Sequence, residues 1–280
     1  MLINKNGHFL SAEQCSVEIN DGGFLYGDTL FETLKARGQN ILFTKAHLDR
    51  IESSAHLLNF PISRNTIETE LKALSQRLSS PVSRIRLTLS RGPCDGFALP
   101  AANRSWFLLT ATEATELSAD DRVRGVPCVI APNRRSNPLD HLPQMKRGNH
   151  ADCLYAADFA RRKGAHEALF CDNDGLILEG SCSNIFARRQ NRLITPPLGN
   201  RVLAGVMRQA VLSVCYRYGL DAIEENLTLK DLLDADEVFL CNSMVDLLPV
   251  SAIGDRSLKR GEFWREILTR IDAMNETQPC

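Results

Sequence analysis

The chain has 280 residues, 44% of them hydrophobic and 24% charged, with 33 basic against 34 acidic side chains and a formal charge of −1. That balance suits a globular protein with a sizeable core and argues against nucleic acid or a membrane surface as its main partner. The opening MLINKNGHFL has no charged region followed by an apolar one, and no apolar run is long enough to span a bilayer, so a cytoplasmic protein is expected.

The elements follow in chain order. Asn4-Lys5-Asn6-Gly7 is a turn between short apolar runs and predicts an opening hairpin. Over 46–59, Leu48, Ile51, Ala55 and Leu58 recur at helical spacing, and Pro61 ends that helix. A second helix is expected over 65–79. Ile85, Leu87 and Leu89 alternate with Arg84, Arg86 and Thr88, the pattern of a half-buried strand, and Trp106 to Thr110 supplies another. The polar stretch EATELSADDR at 113–122 lacks apolar periodicity and predicts a linker. The expected division is a smaller N-terminal domain at 1–115, a linker at 116–122 and a larger C-terminal domain at 123–280.

Beyond it lie the apolar run GVPCVIA and a polar loop, PNRRSNPLDHLPQ, that leads to Lys146. A helix is expected over 149–163, with Gly164 as its C-terminal stop. EALFCD, the turn DNDG and LILEG form a hairpin signature, and short strands follow near 184–187 and 192–195. Gly205 opens a helix that runs to Tyr218, with Gly219 as its cap. Thr228 with Asp231 starts a short helix, EVFLCN is a buried strand, and 261–273 a terminal helix. Nine cysteines, from Cys15 to Cys280, are scattered without a C-x-x-C pair, so neither a zinc site nor a disulfide framework is indicated.

Several residues have chemical potential alongside a plainer reading. Lys146 precedes a helix in a loop that also holds Pro143 and Gly148; most lysines in such places are solvated. Glu179 ends an apolar strand, where burial would demand a cation and exposure would demand nothing. Gly205, Val206 and Met207 begin a helix whose free N–H groups favour an anion, although a glycine there can be merely structural. Asn242 and Ser243, after a buried strand, either donate to a ligand or cap a turn. Arg50 offers a bidentate fork for phosphate or an ordinary surface salt bridge.

Their order and spacing carry more than each alone. YGDTLFET at 26–33, HLDRI at 47–51, Lys146, EALFCDNDGLILEGSCSNIF at 167–186, AGVMRQ at 204–209 and CNSMVDLLPV at 241–250 together resemble the class IV (fold type IV) pyridoxal-phosphate enzymes. These include branched-chain aminotransferases, D-amino-acid aminotransferases and aminodeoxychorismate lyases. The resemblance implies a two-domain α+β fold with pyridoxal 5′-phosphate in the cleft between the domains, and a homodimer whose subunits complete each other's sites. It also implies that Lys146 is the Schiff-base lysine, that Glu179 pairs with the ring nitrogen and that Arg50 binds the phosphate. Val206 and Met207 match the pair whose backbone amides hold the phosphate. Many aminotransferases have a side-chain hydroxyl where Met207 stands, and Asn242 with Ser243 are the candidates to offset its loss.

Finer marks favour the lyase. GVMRQ resembles the lyase helix start, CNSMVDLLPV resembles the lyase segment, and Asn149 lies three positions after Lys146 as in lyases and D-amino-acid enzymes. The loop PCDGFALP lacks the Arg and His that clamp substrate in D-amino-acid aminotransferases. It also departs from lyases at Asp95, Gly96 and Phe97, as does KRGNHAD after the lysine. The implied reaction is elimination from 4-amino-4-deoxychorismate, giving 4-aminobenzoate and pyruvate for folate biosynthesis, with a class IV aminotransferase for branched-chain or D-amino acids as the alternative. Arg91 and Lys35 are the available cations for substrate carboxylates.

Overall fold

A computed structural model describes residues 1–276; Cys280, the last of the nine cysteines, lies outside them. The chain forms two compact units. One comprises Met1–Glu116 with the returning segment Met145–His150, and the other Leu117–Gln144 with the described residues from Ala151 to Glu276.

The first unit contains β1 (Leu2–Lys5), β2 (His8–Phe9), α1 (Gly22–Tyr26), β3 (Thr29–Arg37), β4 (Asn40–Ile41), α2 (Thr44–Leu57), α3 (Arg64–Ser75), β5 (Val82–Ser90) and β6 (Trp106–Glu113). Its six strands form an antiparallel sheet in the order β2-β1-β6-β5-β3-β4. The expected opening hairpin is β1 and β2, turned by Asn6 and Gly7, both at positive φ. Alternation puts Ile85, Leu87 and Leu89 of β5 with Leu30 and Leu34 of β3 on one face, where Leu48 and Ile51 of α2 and Ile67 and Leu71 of α3 close the core. Truncating one of these leucines to alanine would cost about 2–5 kcal/mol.

The second unit begins at α4 (Ala119–Arg124) and continues through β7 (Val126–Ile130), α5 (Ala151–Arg162), β8 (Glu167–Cys171), β9 (Leu176–Gly180), β10 (Asn184–Arg189), β11 (Arg192–Thr195) and α6 (Val206–Arg217). It ends with β12 (Asp221–Glu224), β13 (Leu227–Thr228), α7 (Leu229–Asp234), β14 (Glu237–Asn242), β15 (Asp246–Ile253), β16 (Arg256–Ser257) and α8 (Phe263–Glu276). The strands make one mixed sheet, β12-β11-β10-β14-β15-β7-β8-β9-β13, with β16 paired to β15. Ile185, Leu240, Leu248 and Val250 are among its buried core side chains.

The stretch read as a polar linker contains the division between the units, at Glu116 and Leu117, and residues 114–118 lie between elements, while both of its ends are structured. β6 runs to Glu113, and α4 starts on a capping box in which Ser118 and Asp121 each satisfy the other's backbone N–H. Arg122 is buried, donates to the carbonyls of Val245 and Leu247 and pairs with Asp246 at 3.5 Å. A buried arginine needs such partners, and nothing in local periodicity announces them. A second difference concerns Lys146, expected within the domain at 123–280. Its segment groups with the first unit because it adds to the start of β3: Phe31 N–H donates to the Lys146 carbonyl (3.0 Å), and Gly148 N–H to that of Thr29 (2.8 Å). Among the described residues, no helix is long and apolar enough to cross a membrane.

Candidate active site

In the first unit Lys146 is held by its backbone. Besides the two bonds to β3, Leu30 and Arg147 form an antiparallel bridge. Gly148 sits so close to Thr29 that a Cβ there would overlap Thr29 Oγ1. The side chain then places Nζ 4.6 Å from the centre of the Phe31 ring.

Arg50, on α2, turns one guanidinium edge to Glu32 of β3: Nε to Oε1 at 2.8 Å and Nη2 to Oε2 at 2.5 Å. His47 Nδ1 lies 2.7 Å from the same Oε2. Burial favours a protonated Glu32, but the Arg50 charge and the His47 hydrogen bond prevail and hold its carboxyl at about 2. The His47 pKa is lowered, first by burial and further by the positive charges of Arg50 and Lys146 against the opposing pull of Glu32. Arg50, His47, Glu32 and Lys146 thus occupy one neighbourhood of this unit. Arg50 is in a buried ion pair, and five N–H donors let a guanidinium serve a carboxylate and an anion from different edges.

In the second unit Glu179 is not at an exposed hairpin end. It is 4% exposed on β9 and accepts from Arg135 Nε at 2.9 Å and from the Leu203 N–H at 2.9 Å. Asn184 Nδ2, 3.4 Å from Glu179 Oε2, also donates to the Leu203 carbonyl. A Cβ on Gly205 would overlap Asn184 Oδ1, so a glycine is needed where this network meets the start of α6. Gly205 is the N-cap, and Val206 and Met207 follow as the first helical residues, whose N–H groups have no acceptor within the helix. Asn242, at the end of β14, accepts from the N–H groups of Met244 and Val245, so its side chain caps that turn; Ser243 lies within it.

The two cations named for substrate carboxylates have other duties. Lys35 is 1% exposed and paired with Glu116 at 2.5 Å. Arg91 pairs with Asp28 and donates to the carbonyls of Leu58 and Asn59. A cation left out of that reading is Arg86, on β5. Its guanidinium stacks 3.9 Å from the centre of the Phe31 ring that Lys146 also touches, and burial lowers its pKa. Strand alternation sets Arg86 opposite to the core face, a signal that identifies the face and not the neighbour.

The amino-transferase class IV family model matches residues 29–253, most of the chain. The chain belongs to the class IV aminotransferase family. A putative branched-chain-amino-acid aminotransferase of Methanocaldococcus jannaschii is 31% identical over 275 residues, covering 95% of this chain and 94% of that protein. Among solved structures, a T.th. branched-chain amino acid aminotransferase with pyridoxamine 5′-phosphate has a TM-score of 0.87 at 25% identity, covering 99% of this chain and 95% of that one. The 4-amino-4-deoxychorismate lyase from Pseudomonas aeruginosa has a TM-score of 0.85 at 26% identity, covering 97% and 98%. The fold is therefore the α+β class IV fold, and pyridoxal phosphate is the cofactor that membership implies.

The class IV residues present here fit that cofactor on charge. In the second unit Arg135 contacts two carboxylates, Asp152 at 2.6 Å and Glu179 at 2.9 Å, so one guanidinium faces two negative charges. The cluster is largely buried and carries a surplus negative charge, which a protonated pyridine nitrogen would neutralise. The start of α6 offers N–H donors and the positive end of a twelve-residue helix, which suit a phosphate.

Proposed function

We propose that this class IV enzyme is a 4-amino-4-deoxychorismate lyase, releasing 4-aminobenzoate and pyruvate. The observation that carries the reading is Met207. At the second position of α6, where many aminotransferases have a hydroxyl, an apolar side chain 2% exposed leaves the helix start with backbone donors alone. GVMRQ and CNSMVDLLPV support it by their resemblance to the lyase segments.

Pyridoxal phosphate, when bound, supplies the electron sink for the pair left on a substrate's amino-bearing carbon. Lys146 would hold the cofactor, and its Nζ would accept the proton from that carbon. Arg50, oriented by Glu32, binds phosphate, as do the N–H groups of Val206 and Met207. Glu179 keeps a proton on the ring nitrogen. Arg86 gives the substrate's carboxylates an exposed guanidinium stacked on the Phe31 ring that Lys146 also touches. In the substrate the carbon–oxygen bond to the enolpyruvyl group breaks, the enol takes up a proton to become pyruvate, and the ring gains aromaticity.

A second reading, an aminotransferase, is favoured by the relative that is 31% identical and named for branched-chain substrates. The two separate in one assay. Purified holoenzyme given aminodeoxychorismate alone should release 4-aminobenzoate and pyruvate in equal amounts without a keto acid. No release, together with 2-oxoglutarate-dependent consumption of leucine or D-alanine, would replace the first reading by the second.

A homodimer is also proposed, on an exposed apolar patch of the first unit. Phe24 is 69% exposed, Phe97 94% and Leu99 66%, and Tyr26 stacks on Phe97 at 5.4 Å between ring centres. The departing loop at Asp95 to Phe97 is thus a turn that presents an aromatic side chain outward, as surface awaiting a second copy does.

A further inference from the structure

Glu179 meets a guanidinium before it meets any ligand. Arg135 lies on the loop between β7 and α5, is 6% exposed, and has each of its three nitrogens assigned. Nε goes to Glu179 Oε1 (2.9 Å) and Nη1 to Asp152 Oδ2 (2.6 Å). Nη2 goes to Gln144 Oε1 (2.5 Å), with that amide oriented so that its nitrogen donates to the Asn200 carbonyl. Glu179 Oε2 is fixed by the Leu203 N–H and faces Asn184. The carboxylate plane is therefore set by groups on three separate segments.

We infer that Arg135 is a positioning residue that keeps the proton on the cofactor's ring nitrogen by making Glu179 a poorer base. A carboxylate with a guanidinium on one oxygen holds its negative charge more firmly and accepts a proton less readily. In a buried N–H···O contact between pyridine and carboxylate, the proton resides on the partner of higher affinity. Arg135 lowers that of Glu179 and leaves the proton on the ring, where it strengthens the electron sink. Asp152 opposes Arg135 only in part, because its own charge is spread over the N–H groups of Ser136 and Cys153 as well. The charged and titratable groups around the pair include Asp152 and Cys153 on α5, with Arg135 itself the facing cation. The inference rests on Glu179 being the residue that meets the ring nitrogen, as proposed above.

The test uses holoenzyme reconstituted with pyridoxal phosphate labelled with nitrogen-15 in the ring. The nitrogen-15 chemical shift distinguishes a protonated from an unprotonated ring nitrogen without any turnover. In the unaltered protein the signal should lie in the protonated range. In Arg135→Gln it should move towards the unprotonated range, with turnover lowered about tenfold or more and KM little changed. Arg135→Lys, which keeps the charge but loses the fork, should move it part of the way and serves alone if the glutamine variant does not fold. Glu179→Gln is the control for the underlying reading: a shift that Glu179→Gln leaves in place means Glu179 does not meet the nitrogen. A shift that responds to Glu179→Gln but stays put in both Arg135 variants overturns the role of Arg135 alone.

Discussion

Glu32 and Arg50 meet edge to edge, Nε to Oε1 at 2.8 Å and Nη2 to Oε2 at 2.5 Å, with the carboxylate 1% exposed. The pair fixes the rotation of the guanidinium proposed to hold the cofactor's phosphate. Glu32→Gln keeps the shape but replaces a charge-assisted pair with a neutral contact. The dissociation constant for pyridoxal phosphate is expected to rise about tenfold, the effect of losing one such interaction. Absorbance titration of apoprotein with cofactor reads it, and an unchanged constant would show that Arg50 needs no help from Glu32.

Acid should destabilise the first unit in two steps. Burial lowers the His47 pKa, so below about 6.5 an unfolded chain binds a proton that the folded one refuses, and stability falls as pH falls. Glu32 acts in the same direction lower down. Its folded value of about 2, against 4.5 for the free group, gives stability that is complete above 4.5 and is lost towards about 2. That difference is worth on the order of 3 kcal/mol. Thermal melts across this range should show both losses, with His47→Asn removing the upper one and Glu32→Gln the lower.

Gly148→Ala should strain the seat of Lys146. The added methyl overlaps Thr29 Oγ1 and comes within 3.0 Å of the Gly27 carbonyl oxygen. A loss of about 1–3 kcal/mol is expected in urea unfolding. Thr29→Ala on that background should recover part of it, because the two changes share one contact. Strict additivity would mean that the segment yields elsewhere.

Arg86→Leu tests the substrate side separately from the cofactor side. The guanidinium stacks on Phe31, and its Nε donates to Thr88 Oγ1 at 3.2 Å rather than to a carboxylate. Losing a charge-assisted bond to a substrate carboxylate should raise KM roughly tenfold to a hundredfold, with cofactor affinity unchanged. If KM stays constant, the carboxylates bind elsewhere.

Phe97→Asp puts a charge at the tip of the exposed aromatic patch. Sedimentation should show a dimer for the unaltered chain and a shift towards monomer for the variant, with the thermal midpoint of the monomer preserved. A monomeric parent would remove the patch from consideration as a self-interface.

Local pattern determined a large part of this protein. Leu48, Ile51 and Ala55 announce α2, alternation over Arg84 to Leu89 announces β5, and Gly205 marks the start of α6, because each signal is written within a few residues by backbone periodicity or the lack of a Cβ. Lys146, Arg50 and Glu179 are proposed as a set because their order in the chain resembles the family's. Only the tertiary structure decided what those charges touch. Arg50 finds Glu32, 18 positions away, and Glu179 finds Arg135, 44 positions away. A sequence states that a buried charge needs a partner, but the partner is chosen by strand register and loop path, which bring together residues no local pattern connects. For the same reason EATELSADDR reads locally as a linker, while in the fold its final residue, Arg122, meets the carbonyls of Val245 and Leu247.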